Sequence, residues 1–264
     1  MTAVDTHLIR EQYRSGANLG ARIALHARFS TAARNFLDWL FDRIEAGPDA
    51  RILEIGCGTG ALWRIVRSRV PRAWSLTLSD FSPGMVAESR ALLTSLALPA
   101  SFTQTDAQAL PFLTTHFDAV IANHMLYHLP DVSLGLSEIR RVLKPGGRLY
   151  AATNGQDHMR ELDDLARDAG VALERPLLRL PFNLENGAQL LSAHFGSVAR
   201  YDFPDGLHVT EAEPLVAYVK SMSIFAELFG EAVESRLRAL AAERIARDGA
   251  IHITKAVGLF VATA

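Results

Sequence analysis

The sequence predicts an α/β fold built on a doubly wound, mostly parallel sheet of about seven strands. Apolar segments of strand length alternate with segments of helical periodicity, which is typical of such sheets. The segment 51–56 is almost wholly apolar, as expected for a parallel strand that is buried on both faces. Gly56, Gly58 and Gly60 follow at the carboxyl end of this strand, where such folds bind ligands.

The strands and helices of the parallel part follow in alternation. Strands are predicted at 51–56, 73–80, 101–106, 117–123 and 146–154, with helices at 59–70, 82–96 and 133–143 between them. Ser82 is expected to cap the second helix, because a serine followed by a proline at the first helical position is a common helix start. Functional side chains are therefore expected at the carboxyl ends of these strands.

Helical segments are predicted on both sides of this alternation. An N-terminal helical cover (1–48, with a helix at about 19–44) precedes the ligand-binding core (50–154), and the rest of the sheet follows in 155–264. That last part is predicted to contain helices at 159–170, 184–195 and 210–247, and strands at 197–203 and 251–264. The two strands are expected to form an antiparallel pair at the sheet edge, with a helical insertion at about 207–250 between them. We treat residues 1–264 as one domain.

Composition excludes several classes of partner. The 264 residues are 49% hydrophobic and carry a net charge of −2, so neither nucleic acid nor an anionic membrane is an expected partner. No apolar stretch reaches the roughly 18 residues that span a bilayer, and the first twelve residues do not resemble a secretory signal. Cys57 is the one cysteine, which excludes an intramolecular disulfide framework. The cytoplasm is the expected location.

The glycine loop is open to three interpretations. Its spacing, Gly56-x-Gly58-x-x-Ala61, satisfies the loose dinucleotide pattern, and it also suits a purely structural tight turn. Gly60 departs from the dinucleotide spacing, and Glu54 places an acid where a pyrophosphate would be repelled. A ligand that carries an ammonium or sulfonium group would instead be attracted.

Five landmarks in order carry a family resemblance. "LEIGCGTG" resembles the E/D-x-G-x-G-x-G motif of class I S-adenosylmethionine-dependent methyltransferases, a family with a Rossmann-like fold. "LSDFSPGM", "TDAQALPF", "FDAVIANHMLYHL" and "LKPGG" resemble the later motifs of that family, and together the match covers residues 50–153. The pattern is similar to the broad type-11 group, which includes enzymes that act on quinone precursors and natural products.

The resemblance implies S-adenosyl-L-methionine as the cofactor. Asp80 would accept hydrogen bonds from both ribose hydroxyls, Asp106 and the Ala107 backbone would approach the adenine amino group, and Met85 would pack on the adenine. Cys57 is given no chemistry, since sterics alone require a small residue there. The full set of implied cofactor contacts is Tyr13, Glu54, Gly56, Cys57, Gly58, Gly60, Asp80, Phe81, Met85, Asp106, Ala107 and Asn123.

The end of the fourth strand is the expected place for chemistry on the acceptor. We predict that His124 or Tyr127 faces the acceptor and orients or deprotonates it, with His128 as a further candidate. Alternatively, these side chains shape the cofactor pocket or cap the next helix. A metal site on His124 and His128 is disfavoured, because a four-residue gap in a loop does not place both on one face. Asn123 also departs from the magnesium-binding pattern of catechol-type enzymes, and "NHML" is not the (N/D)-P-P-(Y/F) signature of adenine or amide methylases.

Two flanking groups are candidates for covering the site. Tyr13, Arg14, His26, Arg28 and Phe29 offer aromatic and cationic groups that suit a methionine carboxylate, although a helix packed on the sheet explains most of them equally well. An aromatic stripe in the insertion is a candidate acceptor lid, although such stripes are more often core; its members are Tyr218, Met222, Phe225 and Phe229.

The predicted reaction is methyl transfer to an O, N or C nucleophile of a small-molecule acceptor. Two alternatives stay open. One is a protein that binds the cofactor without methylating, as a binding partner or a pericyclase-like catalyst. The other is a nicotinamide-dependent oxidoreductase, since Asp80 also suits a dinucleotide ribose. A homodimer is compatible with the sequence, which does not decide the oligomeric state.

Overall fold

The structure is a computed structural model that describes residues 17–171, 180–221 and 230–264. Four predicted site residues, Tyr13, Met222, Phe225 and Phe229, lie outside the described residues, as does Arg14. The strands are β1 (Arg51–Ile55), β2 (Ser75–Asp80), β3 (Ala100–Gln104), β4 (Phe117–Asn123), β5 (Leu143–Asn154), β6 (Ser197–Val209) and β7 (Ile251–Thr263). The helices are α1 (Ala17–Phe29), α2 (Phe36–Phe41), α3 (Ala61–Val66), α4 (Pro83–Ser95), α5 (Val132–Val142), α6 (Glu161–Asp168), α7 (Gly187–Ser192), α8 (Ala212–Lys220) and α9 (Glu231–Asp248), with 3-10 turns at Arg67–Arg69 and Leu126–His128.

The strands described form one sheet in the order β3-β2-β1-β4-β5-β7-β6. Strands β1 to β5 are parallel to one another, and β7 runs antiparallel to both β5 and β6. The predicted fold class is therefore confirmed. The strand order reverses between β1 and β4, and ligands of doubly wound sheets bind beside this reversal.

Helices cover both faces of the parallel strands because alternate residues of each strand point to opposite faces. On one face, Leu53 and Val120 join an apolar cluster that includes Leu136 of α5 and Leu191 of α7. On the other face, Ile52 belongs to a cluster formed with α2, α3 and α4. The central strands are thus buried on both sides, as the nearly continuous apolar segment of β1 predicts.

Strands β6 and β7 run past the carboxyl end of β5 as a two-stranded ribbon. The last β5 pair is Asn154 with Val257, whereas β6 and β7 stay paired as far as Val209 and Ile251. We call residues 204–209 and 251–256 the overhang, and we call the helices packed around it, α1, α6, α8 and α9, the cap. A separate apolar cluster fills the cap, with Leu25, Leu165, Leu215 and Leu237 contributed by the four helices.

The predicted end of the sixth strand at residue 203 is wrong. Pro204 and Gly206 suggest a turn, yet β6 continues through them, with Pro204 opposite Ala256 and Gly206 opposite Thr254. Proline is tolerated because β6 is an edge strand, which pairs with β7 alone among the strands described. The insertion therefore begins after Val209 rather than at about residue 207.

The predicted N-terminal helix is broken in two. Residues 30–35 separate α1 from α2, and the backbone N–H of Thr31 donates to the Gly206 carbonyl at 2.9 Å, which ties this break to the overhang. Asn35 then caps α2 through its side chain. The long predicted helix at 210–247 is described as α8 and α9, with residues 222–229 outside the description. The Ser82 cap is confirmed, since its hydroxyl accepts from the Met85 N–H at 3.4 Å. In the described part of the chain no helix is both long and apolar enough to cross a membrane.

Candidate functional site

The glycine loop that follows β1 needs glycine for two different reasons. All three glycines have left-handed backbones, with φ values of +66° at Gly56, +53° at Gly58 and +79° at Gly60. At Gly56 a Cβ atom would also lie 2.7 Å from the Cβ of Met125, so packing forbids a side chain. At Gly58 nothing lies within 4 Å of the position a Cβ would take. Gly58 therefore presents bare backbone to open space, which suits close approach of a ligand.

Asp80 connects this loop to the end of β2. Its Oδ2 accepts from the Gly58 N–H at 2.9 Å, and its Oδ1 accepts from the Ser82 N–H at 2.9 Å. Burial raises the pKa of Asp80, while these backbone donors oppose that rise. Each carboxylate oxygen has a second lone pair, so Asp80 can accept ligand hydroxyls while it holds the loop.

Glu54 is buried beneath the loop, with 2% of its surface exposed. Its Oε2 accepts from the Trp63 indole N–H at 2.6 Å, and its Oε1 accepts from the Asn123 Nδ2 at 3.4 Å. Burial raises the pKa of Glu54 to about 8, although these two donors act in the opposite direction. The carboxyl group is thus mostly protonated at neutral pH until a cation approaches it.

Asn123 shows that this pocket fits a polar ligand. Its Oδ1 is buried and has no hydrogen-bond partner. A buried acceptor without a donor costs about 1–3 kcal/mol, so such an atom calls for an explanation. The methionine part of S-adenosylmethionine supplies an ammonium donor, and the bare face of Gly58 leaves room for the rest. The residues present therefore fit the cofactor that the motifs imply.

The other predicted cofactor contacts lie around the same strand ends, and their side chains range from partly exposed to buried. Asp106 accepts from the Gln108 N–H at 2.8 Å in the turn after β3, and Phe81 follows Asp80 with part of its surface exposed. Ala107 and Met85 are 4% and 1% exposed. The Cys57 side chain is also buried, with its sulfur 3.7 Å from the Ser89 hydroxyl, and burial raises the pKa of the thiol. Cys57 thus has no chemistry assigned to it.

The predicted catalytic candidates lie together after β4. The His124 ring centroid is 6.5 Å from that of Tyr127, and the Tyr127 ring is 4.6 Å from that of His128. The backbone of His124 is left-handed, with φ at +52°, which turns the chain as β4 ends. Burial lowers the pKa of both histidines to about 4, with Lys255 adding to the effect at His124 and Arg22 at His128.

His124 and His128 are partly exposed as residues, unlike the apolar core around them. Burial is nevertheless the main cause of the lowered pKa of both rings. Both are neutral bases at physiological pH, and a neutral imidazole can accept a proton. Within the residues described, no group of three or more histidine, cysteine or acidic side chains is arranged to hold a metal ion.

The candidates for covering the site that the structure describes lie in the cap, as the alternative of a packed helix allows. His26 faces the rings of His158 and Tyr218, at 6.2 and 5.6 Å between centroids. Burial and Lys255 lower the pKa of His26 to about 3, so it is not a cation at neutral pH. Arg28 pairs with Glu211, and Phe29 and Tyr218 belong to the apolar cluster of the cap.

Sequence reasoning missed several residues that the fold brings to the site. Trp63 of α3 donates to Glu54, and the Met125 side chain, in the turn after β4, lies against Gly56. No motif identifies either residue. His158, Asp205 and Lys255 come from the loop after β5 and from the overhang. A signal for Lys255 exists in hindsight, because a lysine in an otherwise apolar strand needs a partner. No such signal identifies His158.

Comparisons with known proteins identify the family that part of this chain matches. Residues 53–151 match the family described as "Methyltransferase domain". Over 134 residues the chain is 37% identical to the biotin biosynthesis bifunctional protein BioCD of Bordetella avium, covering 49% of this chain and 28% of the relative. Over 103 residues it is 38% identical to the ubiquinone/menaquinone biosynthesis C-methyltransferase UbiE of Stenotrophomonas maltophilia, covering 38% of this chain and 41% of the relative. The chain thus spans less than half the length of either relative.

Among solved structures, the [4+2]-cyclase SpnF is similar over most of both chains. The TM-score is 0.63 at 19% identity, and the alignment covers 97% of this chain and 95% of the cyclase. At this identity the similarity shows the fold alone. The family match falls on β1 to β5, the strands that carry the glycine loop, Asp80 and Asn123. The resemblance and the cofactor predicted from the motifs are confirmed for the matched part of the chain: residues 53–151 match a methyltransferase domain of the S-adenosylmethionine-dependent type.

Proposed function

We propose that the protein transfers the methyl group of S-adenosylmethionine to an O, N or C nucleophile of a small molecule. The observation that carries this proposal is the bare face of Gly58 beside the Asp80 carboxylate, at the reversal point of a doubly wound sheet. The relatives' C-methyltransferase name supports the reaction class. The acceptor would lie on the side of His124, under the cap.

The residues have separate roles in this proposal. Asp80 would bind the ribose hydroxyls, and Asp106 with the Ala107 backbone would meet the adenine. Asn123 Oδ1 and an ionised Glu54 would hold the ammonium group. The bound cofactor supplies a methyl group on a sulfonium, whose leaving group is a neutral thioether. The protein then has to align the acceptor, exclude water and, for a weak nucleophile, accept a proton, for which His124 is the candidate.

Calorimetric titration with S-adenosylmethionine and S-adenosylhomocysteine tests the cofactor site. We expect micromolar binding that Asp80→Ala removes, while Asp49→Ala, a change at an exposed carboxylate outside the site, leaves binding intact. Absence of binding by well-folded wild-type protein would refute the proposal.

Two alternatives predicted from the sequence are not favoured by the comparisons. Release of S-adenosylhomocysteine on addition of acceptor candidates distinguishes methyl transfer from a cofactor-binding protein of another activity. A parallel titration with NADH addresses the oxidoreductase, because that enzyme would bind NADH more tightly than S-adenosylmethionine.

A further inference from the structure

The outer side of β6 is open along residues 198–204, which we call the open edge. Among the strands described, β7 is the one neighbour of β6 in the sheet. The segment after α1 reaches the outer side of β6 further along, where the Thr31 N–H donates to the Gly206 carbonyl and Ser30 forms a bridge with Leu207. Within the residues described, no other backbone pairing reaches this side of the strand, so the open edge has no partner there.

Alternate residues of β6 direct their backbone groups to opposite sides of the strand. The Gly155 N–H donates to the Ala256 carbonyl at 2.9 Å, so even-numbered residues of β7 face β5. Odd-numbered residues of β7 therefore face β6, and they stand opposite odd-numbered residues of β6. The N–H and C=O groups of Arg200 and Asp202 consequently point away from β7, as the Gly206 carbonyl does.

A proline protects one end of the open edge and leaves the middle unprotected. Edge strands commonly carry prolines or charges that prevent pairing with another chain. Pro204 is such a residue, because it lacks an N–H and lies at an even-numbered position that faces outwards. It removes one donor at the end of the open edge, and the donors of Arg200 and Asp202 stay available for a further strand.

Tyr201 occupies the middle of the open edge. It is 42% exposed, and its ring centroid lies 5.3 Å from the Arg43 guanidinium carbon. If two copies of the chain pair antiparallel about this residue, one Tyr201 stands directly opposite the other. This pair does not exchange hydrogen bonds, so its Cα atoms approach to about 4.5 Å, the closest spacing in an antiparallel ladder. Aromatic pairs at such positions stabilise a sheet.

The charges of the open edge favour the same register. The Arg200 Nε donates to the Asp202 Oδ1 at 2.7 Å, which shows that the two exposed side chains lie on one face of the strand. With Tyr201 opposite Tyr201, Arg200 of each copy stands opposite Asp202 of the other copy. A register shifted by two residues places Arg200 opposite Arg200 or Asp202 opposite Asp202, and like charges directly opposite each other are destabilising.

We propose that the protein forms a homodimer in which the open edges of two β6 strands pair antiparallel about Tyr201 and join the two sheets into one. The partner is a second copy of the chain, because the sequence of the open edge is complementary in charge to itself. The contact is isologous, so it closes at the dimer. The proposal does not rest on the proposed function, since β6 is at the edge of the sheet and the glycine loop follows β1 within it.

Analytical ultracentrifugation over a concentration series tests the homodimer. We expect the wild-type protein to sediment with twice the mass of one chain. Arg200→Asp and Asp202→Arg should each weaken self-association at least about tenfold, because both cross-strand pairs then bring like charges together. A wild type that is monomeric throughout the series overturns the proposal.

Mixing the two single variants distinguishes this contact from any other surface. The acidic pair of positions in Arg200→Asp then faces the basic pair in Asp202→Arg, so we expect a heterodimer in the mixture. The double variant Arg200→Asp/Asp202→Arg should also dimerise with itself. Arg167→Asp is the control, because Arg167 is an exposed arginine paired with Asp164 on α6, and it should leave the dimer unchanged. A dimer that neither single variant weakens, or a mixture that stays monomeric, overturns the proposal.

Hydrogen exchange locates the contact within the strand. The N–H groups of Arg200 and Asp202 should exchange slowly in the wild-type dimer, and whichever of the two residues is retained should exchange quickly in each single variant. The Tyr201 N–H faces β7 and should be protected in both states. Equal exchange at positions 200 and 202 in dimer and monomer overturns the proposal.

Binding of S-adenosylhomocysteine keeps this proposal separate from the proposed function. All variants should bind it as the wild type does, which shows that loss of the dimer is not a loss of folding. Absence of binding by the wild type refutes the proposed function, whereas the sedimentation and exchange results alone decide the homodimer.

Discussion

The glycine loop after β1 and the overhang of β6 and β7 lie at the same edge of the sheet, but different interactions hold them in place. Backbone N–H groups donate to Asp80 and fix the loop, and apolar clusters support it from both faces. The overhang depends on buried charge: Asp205 accepts from Lys255, from the Ser30 hydroxyl and from the Ala32 N–H. The loop thus offers bare backbone at Gly58, whereas the overhang is held by ionisable side chains that pair with each other and with the segment after α1.

The largest expected effect is on the stability of the overhang. The Lys255 and Asp205 side chains are 10% and 1% exposed, so Lys255→Met leaves an unpaired buried carboxylate. We expect the free energy of unfolding to fall by about 3–5 kcal/mol. The matched control is Arg28→Met, which breaks the exposed pair with Glu211 and should cost under about 1 kcal/mol. If chemical denaturation shows equal losses of unfolding free energy in the two variants, the buried pair stabilises the protein no more than the exposed pair does.

The second effect is on the loop. Gly58→Ala places a methyl group on the open face, so we expect cofactor binding to weaken by roughly tenfold to hundredfold, about 1.4–2.8 kcal/mol. Gly146→Ala is the control, since Gly146 also has positive φ, +76°, and nothing within 4 Å of its Cβ position. Both variants should lose about 1–2 kcal/mol of stability from left-handed strain. Calorimetry that shows equal binding by the two variants would mean that the open face of Gly58 does not meet the cofactor.

The third effect is the pH dependence of cofactor binding. The pKa of Glu54 is raised to about 8, so the carboxyl group is protonated below that pH and must ionise to pair with the ammonium group. Affinity should therefore rise by about tenfold from pH 6 to pH 7, with one proton released. Titration in buffers of different ionisation enthalpy measures this proton. Glu54→Gln should flatten the dependence, and a wild-type affinity that is flat with pH would contradict the assignment.

The smallest effect separates the cap from the loop by the sign of its pH dependence. The folded pKa of His158 is depressed, so its contribution to stability is present above the unfolded value near 6.5 and is lost as the pH falls. Glu54 has the opposite pH dependence, because its pKa is raised on folding: its contribution to the free energy of unfolding is lost as the pH rises through 8. We expect the fall in unfolding free energy between pH 6.5 and 5.5 to be smaller by about 1 kcal/mol in His158→Phe than in the wild type. An unchanged fall would show that His158 is not held neutral.

The loop was predictable from the sequence and the overhang was not. The glycines of the loop and the acid at the end of the next strand have a recognisable spacing, because the loop backbone itself contacts the ligand. The bounds of β4 were also predictable, since its apolar segment begins at Phe117 and ends at Asn123 as the strand does. The continuation of β6 through Pro204 depends on its being an edge strand, which only the tertiary fold decides. Likewise, His26 and His158 are 132 positions apart, and no local pattern predicts that their rings meet.

The register of β6 against β7 also marks where this chain can be recombined. Phe203 pairs with Val257 in the row that is level with the end of β5, and these two residues are where the chain enters and leaves the segment 204–256. A graft that exchanges 204–256 for the equivalent segment of another enzyme would keep the sheet hydrogen bonds on both sides of the junction. The graft would exchange the buried Asp205 and Lys255 pair together with α8 and α9, while the glycine loop, Asp80 and Asn123 stay with the recipient.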